Sequence, residues 1–313
     1  MTTLADLAEL VRAPAALSVP GDVIAGAAAA GALSPRTPAL AGASVLLYWA
    51  GMAANDWADR GLDAEERPER PIPSGRVSPA AAVGLAAGLT AAGVGLAAAV
   101  GGRRAAALAV PLAATIWGYD LLAKNTAAGP AVMAACRGLD VLLGASGGRM
   151  TRALPAAATV AAHTWTVTAL SRREVTGADA TLPMRTLAGT ALVAASAAVA
   201  VPGTRRAAAR TADRAGTVDE VDVRTGRTRS AGIAAALPAV LAGWYAARYG
   251  AAQAEVVRDP SAGRVRAAVG AGITGLPALQ GALTARGGAG LLGVAVAAAA
   301  PLGRRLARKV SPT

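Results

Sequence analysis

Nine consecutive positions, Asn55 to Asp63, read NDWADRGLD and gather Asn55, Asp56, Asp59 and Asp63. On a helix, Asn55, Asp59 and Asp63 fall at i, i+4 and i+8, and Asp56 sits three residues before Asp59. All four side chains then point along one side. Carboxylates grouped this way repel one another unless a cation lies among them. A hard divalent ion such as Mg²⁺ takes oxygen ligands of this kind and usually shares its coordination sphere with substrate phosphates. The segment leads into RPERPIPSGRVSP, a stretch rich in arginine, proline and glycine.

The elements that must position this cluster are built for lipid. Of 313 residues, 54% are hydrophobic, and the mean hydropathy is +0.43, above what a soluble domain of this size reaches. Pro79 to Val100 carries no charge at all, and roughly 20 apolar residues suffice to span a bilayer. Alanine dominates and phenylalanine is absent, so the helices have small side chains that let them approach closely. The net charge of +12 is distributed in the segments between apolar spans. Positive-inside placement and anionic lipid headgroups account for it, so no nucleic-acid partner is expected. The single cysteine, Cys136, excludes an internal disulfide and is expected to pack as a small apolar side chain. The N-terminus lacks the basic region and small-residue cleavage site of a signal peptide.

The expected spans are Leu17 to Leu33, Pro38 to Asn55, Pro79 to Val100, Ala105 to Leu122 and Ala128 to Ala145. Leu154 to Leu170, Leu187 to Val201, Ala231 to Ala247, Val269 to Leu283 and Ala289 to Leu302 follow. That is nine or ten helices in a single all-α, polytopic membrane domain over residues 1–313, with a polar insertion at about 203–230. Alternation of the helices puts the loops holding Asp56 to Ser78, Tyr119 to Lys124 and Arg172 to Arg185 on one membrane face. That face collects Arg12, Arg60, Arg67, Arg70, Arg76, Lys124, Arg172, Arg173 and Arg185. The other collects Arg36, Arg103, Arg104, Arg149 and Arg152. The excess places the acidic cluster on the cytoplasmic side of the plasma membrane. Thr204 to Ser230, with seven arginines and four acids, falls on the opposite side by the same count.

The stretch Asn55 to Ser78 resembles the first aspartate-rich motif of the UbiA family of intramembrane prenyltransferases, NDxxDxxxD followed by RPxPSGxxS. The match holds at Asn55, Asp56, Asp59 and Asp63 and continues through Arg70, Pro71, Pro73, Ser74, Gly75 and Ser78. Within the family, YDLLAKNTAAGP and CRGLDVLLGAS look most like the EboC-like branch. The resemblance implies a bundle of about nine transmembrane helices around a central cavity. It also implies Mg²⁺ on Asp56, Asp59 and Asp63 to neutralise a prenyl diphosphate, with Asn55 orienting a carboxylate or a water. Arg67, Arg70 and Lys124 would hold diphosphate oxygens. Tyr119, Trp57 or Trp165 would face the allylic cation. The group would pass to an aromatic, alcohol or lipid acceptor, with release of pyrophosphate.

The sixth connection departs from the family pattern. Where a second aspartate array is usual, TVTALSRREVTGAD offers Arg172, Arg173 and Glu174, with Asp179 five positions on. Three readings follow: Glu174 is a catalytic carboxylate that holds a second metal ion, with Arg172 and Arg173 on phosphate; the chain binds a phosphorylated ligand without turnover; or Arg172, Arg173 and Arg185 are positive-inside anchors. Arg137 is a further candidate for substrate binding. Its neighbour Asp140, at i+3, suggests an intrahelical ion pair, as Asp120 and Lys124 do at i+4. Asp120 and Asp140 are candidate bases toward an acceptor. Asp22 and His163 also fall in or near spans, where such groups face a cavity or a partner. His163, without other ligands, is expected to bond between helices. Two competing functions stand beside transfer: a terpene cyclase using no external acceptor, and a non-catalytic prenyl- or metabolite-binding export helper.

Overall fold

The computed structural model describes residues 2–13, 18–179, 181–199 and 222–299, and every regular element among them is helical. A short α1 (Leu4–Leu10) precedes α2 (Pro20–Ala30), α3 (Thr37–Ala58) and α4 (Arg60–Glu66). Then come α5 (Pro79–Gly118), a π-helical turn (Tyr119–Ala123), α6 (Gly129–Gly144) and α7 (Met150–Ser171). The described chain closes with α8 (Thr181–Ala198), α9 (Asp222–Arg258), α10 (Ala262–Arg286) and α11 (Gly290–Ala299).

Helix starts follow local chemistry. Proline occupies the first turn of α2, α3, α5 and α6, where its missing N–H costs nothing. Ser78 caps α5 by accepting from the Ala81 N–H at 3.2 Å. Within α5, Gly102 adopts φ 66°, ψ −159°, and the helix reverses there. Trp117 Nε1 donates to Thr90 Oγ1 at 3.0 Å, a bond between residues nearly equidistant from Gly102. The spans expected as Pro79 to Val100 and Ala105 to Leu122 are therefore two antiparallel limbs joined by a two-glycine turn. Each of the other expected spans overlaps one helix. The span expected over Leu17 to Leu33 is shorter, because α2 starts at Pro20 and ends at Gly31 in a left-handed C-cap, φ 68°. Of the expected polar insertion, residues 203–221 lie outside the described residues, and α9 begins at Asp222.

Among the described residues, α3 (Thr37–Ala58) and the stretch Pro79–Ala123, which holds both limbs, are long and apolar enough to cross a membrane. The remaining long helices are held by close packing of small residues. A Cβ on Gly26 of α2 would fall 1.8 Å from the Val141 carbonyl oxygen of α6, and one on Gly144 would fall 2.0 Å from that of Val23. Glycine on both helices lets their backbones touch. The interior also contains His163, whose Nδ1 lies 2.8 Å from the Tyr245 hydroxyl, so the expected helix-to-helix bond forms between α7 and α9. Cys136 is buried and unpaired.

The two ends of the bundle differ. At one end, Arg36 lines a pocket of about 540 Å³ with Gly101 and Gly102, and the Arg149 N–H donates to the Ala30 carbonyl at 3.1 Å. The acidic cluster sits at the other end of α3. There Arg172 donates to the Thr126 carbonyl, and Arg266 donates to that of Glu174 at 2.8 Å.

Candidate active site

The acidic cluster does not lie on one uninterrupted helix. α3 ends at Ala58, Asp59 takes φ −87°, ψ 0°, and α4 begins at Arg60. The i→i−4 bonds nevertheless continue, from the Asp59 N–H to Asn55 and from the Asp63 N–H to Asp59, each at 2.9 Å. The bend sorts the four side chains into two pairs. Asp56 and Asp63 converge on Arg70, whose Nη1 is 2.6 Å from Asp63 Oδ2 and 3.5 Å from Asp56 Oδ1. Asn55 and Asp59 converge on Lys124, whose Nζ is 2.5 Å from Asp59 Oδ1 and 3.2 Å from Asn55 Oδ1.

The segment after α4 explains why Arg70 reaches the cluster. Ser74 bonds back to the Arg70 carbonyl through both its N–H, at 3.0 Å, and its hydroxyl, at 2.6 Å. Gly75 takes φ 75°, and the Val77 N–H closes onto the Pro71 carbonyl at 2.8 Å. The Pro-Ser-Gly turn thus fixes the backbone that carries Arg70. Its other arginine, Arg76, pairs with Asp6 and Glu9 of α1, both at 2.7 Å. Bonds to Asp6 from the Thr3 side chain and backbone, and then from Arg76, hold its carboxyl down at about 2. Anchored in this way, α1 delivers Arg12, whose Nη2 lies 2.7 Å from Asp56 Oδ1.

Lys124 arrives by a different route. The turn Tyr119–Ala123 is π-helical, closed by the Lys124 N–H on the Tyr119 carbonyl at 2.9 Å. The expected pair between Asp120 and Lys124 does not form, because the ammonium is committed to Asp59 and Asn55 on α3.

Of the candidate residues, the structure brings together Asn55, Asp56, Asp59, Asp63, Arg67, Arg70 and Lys124. Arg67 is the outlying member, 3.9 Å from Asp63. Tyr119 opens the turn that carries Lys124, and Arg172 borders the same loop through Thr126. Three candidates stand elsewhere. Glu174 lies beside Arg266, and burial raises its carboxyl above the usual range. Arg173 makes no hydrogen bond or ion pair through its side chain with the acidic cluster among the described residues. Arg137 is buried in the bundle core. Its Nε meets Asp22 Oδ2 at 2.8 Å, and its guanidinium lies 5.4 Å from the Tyr48 ring centre. The intrahelical pair with Asp140 therefore does not form. Asp140 instead accepts from Ser44 Oγ at 2.5 Å, and Asp22 from Gln280 Nε2 at 2.6 Å. Arg12 is the participant that spacing could not reveal, since its link to Asp56 depends on where α1 docks.

The donors suit Mg²⁺ in part. Asp56 and Asp63 are 4% and 2% exposed, present hard oxygens, and reach the same Arg70 nitrogen. Among the described residues, no three Asp, Glu, His or Cys side chains close on one point as a complete ligand set. Such a set fits a cation that completes its sphere with phosphate oxygens and water.

The structure is thus a bundle of helices with a cluster of paired acids and bases at one end. The sequence profile of the UbiA prenyltransferase family matches residues 18–254, and the chain belongs to that family of membrane-integral alkyl transferases. A digeranylgeranylglyceryl phosphate synthase of Methanothrix thermoacetophila is 44% identical over 80 residues, 25% of this chain and 30% of that protein. The synthase of Natronomonas pharaonis is 45% identical over 85 residues, 26% of this chain and 31% of that protein. The aligned stretch thus spans less than a third of the length of these curated relatives. Solved structures share the fold across nearly the whole chain. One from work on digeranylgeranylglyceryl phosphate synthase in membranes has a TM-score of 0.63 at 14% identity, covering 91% of this chain and 98% of that one. The apo structure of a UbiA homologue from Aeropyrum pernix K1 has a TM-score of 0.55 at 20% identity, covering 89% and 96%.

Proposed function

We propose that this chain transfers a prenyl group from a prenyl diphosphate to an alcohol, aromatic or lipid acceptor, with Mg²⁺ and release of pyrophosphate. The observation that carries the reading is the joint reach of Asp56 and Asp63 to one nitrogen of Arg70, beside Lys124 on Asp59 and Asn55. Each cation now neutralising a carboxylate is free to turn to a phosphate when the acids take a divalent ion. Mg²⁺, when bound, supplies charge that eases departure of the diphosphate. Arg70 offers forked donors to phosphate oxygens, Lys124 a point charge, and Arg12 a further guanidinium from the opposite side. Tyr119, half-buried, opens the π-helical turn that carries Lys124. An apolar groove of about 790 Å³, lined by Ile24, Ala41, Val45, Trp49, Leu96 and Leu292 among others, flanks α3 and is large enough for an isoprenoid chain.

The relatives' names favour a glycerophosphate-type lipid acceptor over a cyclase that uses none. The finer placement in the EboC-like branch rests on YDLLAKNTAAGP and CRGLDVLLGAS and is part of the same proposal. So are the plasma-membrane location and the cytoplasmic facing of the site. Glu174, next to Arg266, is proposed as an outer-loop residue, with Arg172 the arginine nearer the diphosphate.

The test is pyrophosphate release from geranylgeranyl diphosphate by purified protein with Mg²⁺ and geranylgeranylglyceryl phosphate. Removing one carboxylate in Asp56→Asn or Asp63→Asn is expected to slow release by about 100-fold or more, the scale of losing charge stabilisation of a leaving group. A wild type that binds the diphosphate but never releases pyrophosphate, from this or shorter prenyl donors, would shift the assignment to the export helper. A cyclic hydrocarbon formed without acceptor would shift it to the cyclase.

A further inference from the structure

The end of the bundle opposite the acidic cluster carries a second concentration of charge, all of one sign. Three connecting segments meet there, residues 31–38, 101–104 and 147–152. They hold Arg36, Arg103, Arg104, Arg149 and Arg152 and no Asp or Glu. All five arginines are exposed, and among the described residues none of their side chains makes a hydrogen bond or an ion pair. At the acidic end, by contrast, Arg12, Arg67, Arg70, Arg76 and Lys124 each face a carboxylate. Like charges gathered without a counter-charge repel, and an anion among them relieves the repulsion.

Backbone contacts hold these segments in place. The Arg149 N–H donates to the Ala30 carbonyl at 3.1 Å, and a Cβ on Gly148 would fall 2.5 Å from that oxygen. Ser34 fixes the loop before α3. Its N–H donates to Thr37 Oγ1 at 3.0 Å, and its hydroxyl accepts from the Arg36 N–H at 3.3 Å. Between this loop and the reversal of α5 lies a cavity of about 540 Å³, lined by Arg36, Ala39, Ala99, Val100, Gly101 and Gly102. Its walls are one guanidinium, glycine backbone and small apolar side chains. Arg103 and Arg104 follow the lining glycines directly. The cavity sits where α3 begins and α5 reverses, at the ends of stretches long and apolar enough to cross a membrane. Lipid headgroups lie at that level.

We propose that this cavity binds the headgroup of a net-anionic phospholipid, with Arg36 on its phosphate and Arg103 and Arg104 adding charge. A guanidinium forks onto phosphate oxygens. The glycerol and upper acyl carbons rest against Ala39, Ala99 and Val100. A zwitterionic headgroup is disfavoured, because the three segments offer no carboxylate to pair with its ammonium. The site is separate from the diphosphate cluster at the other end of α3, and its lipid is not consumed. The inference needs only the membrane setting, so it stands or falls apart from prenyl transfer.

The experiment titrates delipidated full-length protein with phosphatidylglycerol or phosphatidylcholine and counts bound lipid by native mass spectrometry. Wild type is expected to bind phosphatidylglycerol at least about 10-fold more tightly than phosphatidylcholine, as two or more arginines near an anionic headgroup supply. Arg36→Gln is expected to lower phosphatidylglycerol affinity by about 5-fold, the scale of one such arginine, and Arg36→Lys to keep most of it. The triple variant Arg36→Gln, Arg103→Gln, Arg104→Gln is expected to lose about 20-fold or more and with it the preference over phosphatidylcholine. Arg185→Gln with Arg264→Gln removes two exposed arginines near the acidic end and is expected to change affinity by no more than about 2-fold. Inorganic phosphate, lacking apolar parts, is expected not to displace the lipid. Equal binding of the two lipids by wild type, or equal losses in the triple and the control variants, overturns the site. Displacement by inorganic phosphate reassigns the cavity to a soluble anion and overturns the lipid.

Discussion

Arg137 and Asp22 are both inside the bundle, and their bond at 2.8 Å is flanked by Gln280 and the Tyr48 ring. A guanidinium in this setting is bound to structure rather than to a passing ligand. Taking away one member of such a pair leaves the other charge buried without compensation, at a cost of about 3–5 kcal/mol. Replacing both with apolar groups of similar volume removes the debt along with the bond. Arg137→Met alone is therefore expected to lower the thermal midpoint in detergent sharply, and Arg137→Met with Asp22→Leu to recover most of it. Unfolding followed by fluorescence, with geranylgeranyl diphosphate binding measured in parallel, distinguishes the two roles first considered for this arginine. An unchanged midpoint with lost binding would return Arg137 to the substrate site.

At the scale of elements, backbone approach governs how the polar residues meet. α2 and α6 cross where Gly26 faces Val141 and Gly144 faces Val23, and this crossing also brings Asp22 to Arg137. A methyl at Gly144 would sit 2.0 Å from a backbone carbonyl, and no side-chain rotation relieves that contact. Gly144→Ala is expected to destabilise the protein by about 1–3 kcal/mol, whereas Gly84→Ala, with open space around it, is expected to be neutral or mildly favourable. Thermal unfolding of the two variants tests the pair, and equal midpoints would contradict the close crossing. The same scale explains what could be read from sequence. The starts at Pro38 and Pro79 and the break between Val100 and Ala105 are local and reappear in the fold, whereas the one-sided placement of Asn55 to Asp63 is interrupted at Asp59, where α3 gives way to α4. Ion-pair partners are not local. Spacing favours Asp140 for Arg137 and Asp120 for Lys124, but Asp22 and Asp59 on neighbouring helices capture those cations instead. Arg12 gives no sequence signal toward Asp56, because its position depends on Arg76 anchoring α1 from a segment far along the chain.

For the molecule as a whole, the end-to-end charge pattern sets orientation. The end that carries the acidic cluster also carries Arg12, Arg67, Arg70, Arg76 and Lys124, all engaged with carboxylates. The opposite end gathers Arg36 with the Gly101–Gly102 turn, and Arg149 with the end of α2. Basic residues are retained on the cytoplasmic side during insertion, and the count in short connecting segments decides the sense. In the short connecting segments among the described residues, the acidic-cluster end has the larger count, and the proposed cytoplasmic facing of that end rests on it. Cys136 is buried and serves as a silent background for thiol labelling. On intact cells, a membrane-impermeant maleimide is expected to label Arg103→Cys, beyond the Gly102 turn, and to leave Glu66→Cys, at the end of α4, unlabelled until the membrane is permeabilised. Both positions are exposed, so accessibility alone separates them. The reverse pattern would put the cluster on the outer face and require a substrate supplied from that side.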